Sequence, residues 1–211
     1  MTIPRIPDYP LPRADEYPVA KVKWQIEPAR AVLLIHDMQR YFLRFYDRNG
    51  PLLGTVIQNI RQLRDWADAH GVPVVYSAQP HQQPAGDRAL LNDMWGPGLP
   101  AADAAEQPII DELTPRSQDT VLDKWRYSAF QRSDLKERMR AQKRDQLIIC
   151  GVYAHIGCMM TAVDAFMNDI QPFLVGDALA DFSEQKHRLA LEYVATTAGQ
   201  VLSTEGVLGR R

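Results

Sequence analysis

The 211-residue sequence predicts a three-layer, doubly wound α/β domain in which helices cover both faces of a six-stranded, mainly parallel sheet. Six short apolar runs alternate along the chain with longer segments whose apolar residues recur at helical spacing. Strands that alternate with helices join through right-handed crossovers, which makes neighbouring strands parallel. The length and the 45% content of hydrophobic residues suit one domain with a sizeable core.

The chain is predicted to begin with an extended arm. Residues 1–22 are rich in proline, and residues 23–211 follow as a single domain without internal repeats. The opening segment lacks the apolar stretch of a signal peptide, and no run approaches the length of a membrane span. Cys150 and Cys158 form no CxxC pair, so no disulfide framework is indicated and the sequence favours a cytoplasmic protein.

The first strand and the first long helix have clear signals. The continuous apolar run "ARAVLLIHD" is typical of a strand that is buried on both faces. The next segment, "TVIQNIRQLRDWADAHG", is predicted to be a helix that ends at Gly71. Its apolar residues are spaced by four, three and four positions and form one face: Val56, Ile60, Leu63 and Ala67.

The rest of the chain continues the alternation. The second and third strands are "VPVVYSA" and "TVLDKW", followed by the helix "SDLKERMRAQ" with Ser133 as its N-cap. The fourth and fifth strands are "QLIICG" and "QPFLVGDA", with the helix "GCMMTAVDAFMND" between them. The helix "SEQKHRLALEYVATTAG", capped by Ser183, precedes the last strand, "QVLST".

The charge distribution argues against a nucleic-acid or membrane partner. The net charge is −2, and the basic residues are spread along the chain. The densest group, "LKERMRAQKRDQ", is interleaved with apolar residues at helical spacing, which indicates a solvated helix face.

In a doubly wound sheet the ligand binds beyond the carboxyl ends of the strands. The residues that follow strand ends are Asp37 with Met38 and Gln39, then Gln79, the segment 124–126, the segment 152–157 and Asp177. The long irregular stretch 80–115 is predicted to form a lid over this edge.

Three charged residues are candidates for chemistry. Asp37 either caps a helix or acts as an acid or base in the cleft. Lys124 either reaches solvent or faces Asp37 or an anionic substrate. Arg88, in the lid, either binds a carboxylate or is solvated. Taken alone, these residues predict an anion-binding α/β enzyme and no narrower function.

Four further side chains have a structural interpretation. Trp95 is predicted to pack as an anchor, and Tyr153 either packs or contacts a ligand. His155 is interpreted as a structural, hydrogen-bonded histidine. His36 is predicted to point away from Asp37 and to lie under a helix, because neighbouring residues of a strand face opposite sides.

Six segments in order narrow this interpretation: "LLIHDMQRYF", "YSAQP", "RALLNDMWGPG", "KWRYSAF", "GVYAHIGCM" and "DALADFS". Together they resemble the isochorismatase family, which includes siderophore-pathway isochorismatases and phenazine-pathway hydrolases of 2-amino-2-deoxyisochorismate. The resemblance covers nearly the whole chain. It implies the Rossmann-like fold of the isochorismatase-like hydrolases, in agreement with the alternation of strands and helices.

The wider superfamily contains cysteine hydrolases with an Asp–Lys–Cys triad. Asp37 and Lys124 match the first two members, whereas Gly157 stands at the cysteine position. Cys158 follows one residue later, a rotation of about 100° on a helix, so its thiol is expected to point away from Asp37. The amidases that bind a metal carry Asp-x-His after the second strand. This chain has "SAQPHQQ", so no metal and no cofactor are expected.

The resemblance implies hydrolysis of the enolpyruvyl (vinyl) ether of isochorismate to 2,3-dihydro-2,3-dihydroxybenzoate and pyruvate. Protonation of the methylene carbon gives an oxocarbenium ion, water adds, and the hemiketal collapses, so no thiol is needed. Asp37 is the expected proton donor. Lys124 is expected to bind a substrate carboxylate or to orient Asp37, and Gly157 to leave room for the substrate.

The resemblance also implies substrate contacts. Two aromatic side chains, Phe42 and Trp95, are expected to form walls that control water around the cation. The peptide bond before Tyr153 is a candidate for the non-proline cis bond of the family. The remaining contacts are expected from Gln79, Arg88, Lys124, Tyr153 and Gly157.

Several alternatives stay open. Isochorismate is favoured as substrate, and the alternative is 2-amino-2-deoxyisochorismate, which would give trans-2,3-dihydro-3-hydroxyanthranilate. A cysteine amidase that uses Cys158 is a remote alternative. The resemblance implies a homodimer or a larger homo-oligomer. The sequence lacks the Gly-x-Asp-Ser motif of an aryl carrier domain, so such a carrier is expected only as a separate partner protein.

Overall fold

A computed structural model describes residues 3–209 of the protein. Its strands are β1 (Ala31–His36), β2 (Val74–Ala78), β3 (Thr120–Asp123), β4 (Gln146–Val152), β5 (Gln171–Ala180) and β6 (Gln200–Leu202). Its α-helices are α1 (Arg40–Leu43), α2 (Pro51–Ala69), α3 (Ala85–Arg88), α4 (Leu91–Trp95), α5 (Leu135–Ala141), α6 (Met159–Met167), α7 (Glu184–Thr197) and α8 (Thr204–Val207). None of these helices is both long enough and apolar enough to cross a bilayer.

The six strands form one parallel sheet in the order β3-β2-β1-β4-β5-β6. The chain runs from β1 outward to β3, returns to the centre at β4 and then runs outward to β6. The direction of winding therefore reverses between β1 and β4, which is where ligands bind in such sheets. The predicted fold class is confirmed.

The sheet separates two apolar cores, as the apolar run of β1 predicts. All six residues of β1 are buried. Leu33 and Ile35 pack on one face with residues of α2, whereas Val32 and Leu34 pack on the other face with residues of α6 and α7. Because burial of each large side chain contributes about 1.5–3 kcal/mol, β1 is a rigid base for the residue that follows it.

The first long helix starts earlier than the sequence predicts. α2 begins at Pro51 rather than at Thr55, because a proline fits the first turn of a helix, where its missing N–H is not needed. The helix ends at Ala69, and Gly71 beyond it has φ +63°. Its four predicted core residues are all fully buried: Val56, Ile60, Leu63 and Ala67.

The predicted N-cap of α7, Ser183, is confirmed. The N-cap of α5 is Asp134, one residue after the predicted Ser133. Ser183 Oγ accepts a hydrogen bond from the Lys186 N–H at 3.3 Å. Asp134 occupies the N-cap position of α5, and Ser133 Oγ accepts from the Leu135 N–H at 3.3 Å. Ser133 therefore still satisfies a donor at the start of α5.

Asp177 does not lie at the ligand-binding edge, so that prediction is wrong. A register shift against β4 lets β5 continue to Ala180, and Asp177 falls inside the strand. Its Oδ1 accepts hydrogen bonds from the Thr204 N–H at 2.7 Å and the Thr204 hydroxyl at 2.8 Å. Asp177 therefore fixes the start of α8.

The proline-rich arm packs into the body of the protein. Ile6 is 2% exposed, and its N–H donates to the Phe45 carbonyl at 2.8 Å. The hydroxyl of Tyr9 accepts from the Asp181 N–H at 2.8 Å and lies 3.1 Å from His187 Nδ1. The arm thus contributes to the core, and a domain boundary at residue 22 stays a prediction.

The buried His187 predicts a loss of stability in mild acid. Burial lowers the pKa of His187 from 6.5 to about 4, and the ring bonds to Tyr9 and to the Gly176 carbonyl. Between these two pKa values the unfolded chain binds more protons than the native one, so the free energy of unfolding falls as the pH drops. We expect His187 to account for about 2 kcal/mol of this loss between pH 7 and pH 5.

Urea unfolding of wild type and His187→Gln at both pH values measures this contribution. The difference between pH 7 and pH 5 should shrink in His187→Gln and stay unchanged in His70→Gln, a control at an exposed histidine. An equal pH dependence in wild type and His187→Gln would contradict the assignment.

Candidate active site

A cavity that opens to solvent lies beyond the carboxyl ends of β1 and β4, where the winding reverses, and its empty space, including the open part, is about 580 Å³. Its lining includes every position that the sequence analysis assigned to the site: Asp37, Phe42, Gln79, Arg88, Trp95, Lys124, Tyr153 and Gly157. It also includes residues that the sequence analysis did not assign, among them Ile3, His36, Tyr41, Leu99, Tyr127 and Phe182. The structure brings the predicted residues together, and their individual roles stay predictions.

The carboxylate of Asp37 is held by two side chains from neighbouring strands. Its Oδ2 lies 2.9 Å from Lys124 Nζ, and its Oδ1 accepts a 2.7 Å hydrogen bond from Ser77 Oγ. Asp37 and Lys124 are 5% and 4% exposed, and Ser77 is fully buried. Water screens such a buried ion pair poorly. The charged form of each side chain is therefore stabilised mainly by the opposite charge of the other.

The order β3-β2-β1 explains this geometry, since Lys124 follows β3, Ser77 lies near the end of β2 and Asp37 follows β1. Asp37 leaves β1 with φ +50°, a left-handed conformation that aspartate tolerates better than most residues. Beyond this turn, successive side chains no longer alternate between the two faces of the sheet as they do in β1.

The prediction that His36 points away from Asp37 is wrong. Both residues line the cavity, and His36 Nδ1 lies 3.7 Å from Asp37 Oδ2. His36 is fully buried, and its Nδ1 donates to the Val152 carbonyl at 2.7 Å. Burial lowers the pKa of His36, against an opposing effect of the Asp37 carboxylate, so the ring is neutral.

Gly157 and Cys158 face different parts of the molecule. Gly157 lines the cavity, whereas the fully buried Cys158 packs with apolar residues on one face of the sheet, including Ala154 and Ala162. Burial raises the pKa of the Cys158 thiol well above its usual range. A neutral, inaccessible thiol is a poor nucleophile, so Cys158 has the properties of a packing residue.

Aromatic side chains form one wall of the cavity. The Tyr153 hydroxyl donates to the Phe42 carbonyl at 2.7 Å, and the two rings meet edge to face. Phe182 packs edge to face against Tyr153 and Trp95. The Val152–Tyr153 peptide bond is cis, as predicted. Because its own proton is used, the Tyr153 hydroxyl can offer a ligand only its lone pairs.

The lid residues are fixed by hydrogen bonds within the protein. Arg88 is 4% exposed and donates to the Gly96 carbonyl at 3.0 Å and to Gln83 Oε1 at 2.9 Å. Trp95 Nε1 donates to the Tyr127 hydroxyl at 2.8 Å. No carboxylate of the described chain forms a salt bridge with Arg88, so a buried guanidinium faces the cavity without a counter-ion.

Gln39 is a buried residue that the sequence analysis placed at this edge of the sheet without assigning it a role. Its Oε1 accepts from the Gln79 N–H at 2.7 Å, and its Nε2 donates to the carbonyls of Gln79 at 2.8 Å and Gln107 at 2.6 Å. Gln39 therefore positions Gln79 at the cavity. The available signal was an amide side chain three residues after the end of a fully buried strand.

Two histidines near the cavity bind protein groups. His155 Nδ1 lies 2.6 Å from Asp181 Oδ1, which agrees with a structural histidine. His81 Nε2 lies 3.0 Å from the Ala102 carbonyl oxygen. Within residues 3–209, no group of three or more His, Cys, Asp or Glu side chains is arranged to hold a metal ion.

The burial of both thiols makes a testable prediction. We expect Ellman's reagent to label neither Cys150 nor Cys158 in the native protein, because burial excludes the reagent and raises the pKa of both thiols. Both cysteines should react after unfolding in guanidinium, which serves as the positive control. Rapid native labelling, mapped to Cys158 by peptide mass, would restore it as a candidate nucleophile.

Comparison with known proteins identifies the family. Residues 31–206 match the family model described as "Isochorismatase domain". The chain is 55% identical over 208 residues to enterobactin synthase component B of Escherichia coli K12, covering 99% of this chain and 73% of the relative. It is 52% identical over 206 residues to phenazine biosynthesis protein PhzD1 of Pseudomonas aeruginosa, covering 98% of each chain.

A third relative and a solved structure agree with this match. Isochorismatase of Bacillus subtilis is 51% identical over 208 residues, which are 99% of this chain and 66% of the relative. The crystal structure of a cysteine hydrolase from Pseudomonas syringae pv. phaseolicola superposes with a TM-score of 0.81 and 26% identity, covering 91% of this chain and 96% of that one. The chain belongs to the isochorismatase family of hydrolases.

Proposed function

We propose that the protein hydrolyses the enolpyruvyl ether of isochorismate to 2,3-dihydro-2,3-dihydroxybenzoate and pyruvate, without a covalent intermediate. One observation carries the proposal: the buried Asp37–Lys124 pair faces a cavity in which Gly157 occupies the nucleophile position. An acid is present where a proton is needed, and the thiol of Cys158 is buried elsewhere. The identity to enterobactin synthase component B and to isochorismatase supports this substrate.

The reaction needs one proton delivered to carbon. Asp37, in its protonated form, donates it to the terminal methylene of the enolpyruvyl group, and the adjacent carbon becomes an oxocarbenium centre. Water adds to that carbon and returns a proton to the Asp37 carboxylate. The hemiketal then breaks its bond to the ring oxygen, which leaves a ring hydroxyl and pyruvate. Substrate and water balance the two products.

Lys124 and Ser77 hold the carboxyl group of Asp37 in place. Each contacts a different oxygen, so the carboxyl cannot rotate freely. Lys124 also stabilises the carboxylate that forms when the proton leaves, and its ammonium can bind a substrate carboxylate.

Arg88 provides the second cationic contact. It is buried at the cavity without a carboxylate partner in the described chain, so a carboxylate of the substrate would supply the missing counter-ion. Gln79 is fixed by Gln39 and offers its amide to polar groups of the substrate. The aromatic rings of Phe42, Trp95 and Tyr153 limit the access of water to the oxocarbenium ion.

The same chemistry on 2-amino-2-deoxyisochorismate, giving trans-2,3-dihydro-3-hydroxyanthranilate, is the second candidate. The 52% identity to phenazine biosynthesis protein PhzD1 favours it almost as strongly as the relatives above favour isochorismate. The two substrates differ by an amine in place of a hydroxyl, and both release pyruvate.

We further propose a cytoplasmic homodimer or larger homo-oligomer, with an arm at residues 1–22, a single domain at residues 23–211 and a separate aryl carrier protein as a docking partner. The family resemblance supports the assembly and the carrier. Light scattering that gave a monomeric mass would contradict the assembly. A pull-down with the carrier protein of the pathway would test docking.

The activity is tested by pyruvate release from both substrates, coupled to lactate dehydrogenase. We expect turnover in wild type and in Cys158→Ala, and loss of turnover in Asp37→Ala and Asp37→Asn, because neither variant can donate the proton. The preferred substrate is the one with the higher kcat/KM. Pyruvate release by Asp37→Asn at the wild-type rate would falsify the assignment of Asp37, and its absence from wild type would reject the proposed chemistry.

The support given by Ser77 makes a second prediction. Ser77→Ala removes the hydrogen bond to Asp37 Oδ1 and should lower kcat about 10- to 100-fold, the usual effect of losing a hydrogen bond to a charged group. KM should change little, because Ser77 does not line the cavity. Ser128→Ala is the matched control, since Ser128 donates to Asp164 outside the cavity. Equal kcat in both variants would contradict the role of Ser77.

A further inference from the structure

The ring of His36 occupies the space beside Gly157. A Cβ atom built on Gly157 would lie 2.1 Å from His36 Cε1, 2.7 Å from Nε2 and 3.1 Å from Nδ1. The two shorter distances are well inside van der Waals contact, so no side chain fits at position 157 while the ring stays where it is. Gly157 therefore makes room for a residue of the protein itself, in addition to any substrate.

The ring cannot easily move aside. Its Nδ1 is bonded to the Val152 carbonyl at 2.7 Å, and the ring is fully buried. The backbone of His36 lies in β1 between β2 and β4 and pairs with Gly151. A Cβ on Gly151 would lie 2.2 Å from the His36 carbonyl oxygen, so the strands are packed backbone against backbone there. Gly151 thus accommodates the backbone of His36, and Gly157 accommodates its ring.

We propose that His36 determines the reaction class of the site by filling the space that a nucleophilic side chain at position 157 would need. This inference rests on the proposed function in one respect: the Asp37–Lys124 pair then serves proton transfer instead of activating a thiol. The burial that keeps the ring neutral also lets it lie near Lys124 without adding a second cation.

The proposal implies a latent thiol site. With a small residue at position 36, a cysteine in place of Gly157 would lie at the cavity beside Asp37 and Lys124. A nearby ammonium favours the thiolate, which is the reactive form. With His36 present, the same thiol would be displaced from this position or would disrupt the turn.

The first test measures the coupling of the two positions through thermal unfolding. We expect Gly157→Ala to lower Tm by about 3–10 °C in the wild-type background and by much less in a His36→Ala background. His36→Val is a second background in case His36→Ala is poorly folded. Gly54→Ala is the matched control, because a Cβ there meets no atom within 4 Å, and its effect should be equal in both backgrounds.

A Gly157→Ala protein that cannot be purified, beside a folded His36→Ala/Gly157→Ala protein, would show the same coupling in a stronger form. Equal losses of Tm in the two backgrounds, or full tolerance of Gly157→Ala alone, would overturn the proposal. So would failure of the double variants to fold when His36→Ala or His36→Val does.

The second test measures thiol reactivity with iodoacetamide near pH 7. The thiolate displaces iodide and forms a stable thioether, which peptide mass locates. We expect labelling at position 157 to be at least about tenfold faster in His36→Ala/Gly157→Cys than in Gly157→Cys, with Cys150 and Cys158 unlabelled in both. Equal rates in folded proteins would overturn the proposal. Neither test measures pyruvate, so failure here is distinct from failure of the proposed activity.

Discussion

The buried ion pair between Asp37 and Lys124 is the interaction on which the rest of the site depends. Removing either partner would leave an uncompensated charge in the interior, at a cost of about 3–5 kcal/mol, so the two ends of β1 and β3 are held together. Ser77 on the intervening strand closes the arrangement by binding the second carboxylate oxygen. A parallel sheet with the order β3-β2-β1 is what makes three residues distant in sequence neighbours in space.

The scaffold and the chemistry are separable. The crystal structure with a TM-score of 0.81 is that of a cysteine hydrolase, whereas in this chain Cys158 packs in a core and the family resemblance assigns Gly157 to the nucleophile position. In the proposed function, Asp37 and Lys124 serve proton transfer instead of the activation of a thiol. The buried Arg88, which has no counter-ion in the described chain, places a positive charge at the cavity.

Most of the fold follows from the sequence, because apolar runs and helical spacing are local signals. The residues at the strand ends follow as well, since the carboxyl ends of parallel strands share one edge. The errors share a physical cause: the local pattern of apolar residues does not fix where a strand ends. His36 was misplaced because Asp37 adopts φ +50°, and Asp177 because β5 continues past a register shift. The hydrogen bonds of Gln39 could not be predicted, because their partners, Gln79 and Gln107, are remote from it in the sequence.

The arm shows how far the site is coupled to the rest of the chain. Ile3 lines the cavity, and Tyr9 bonds to the Asp181 backbone after β5. The Asp181 carboxylate also holds His155, in the short π-helix Ala154–Cys158 that carries Gly157. The arm, the end of β5 and the turn after β4 therefore form one connected network. Because the network reaches the cavity wall at Ile3 and at Gly157, the arm belongs to the structure that shapes the cavity.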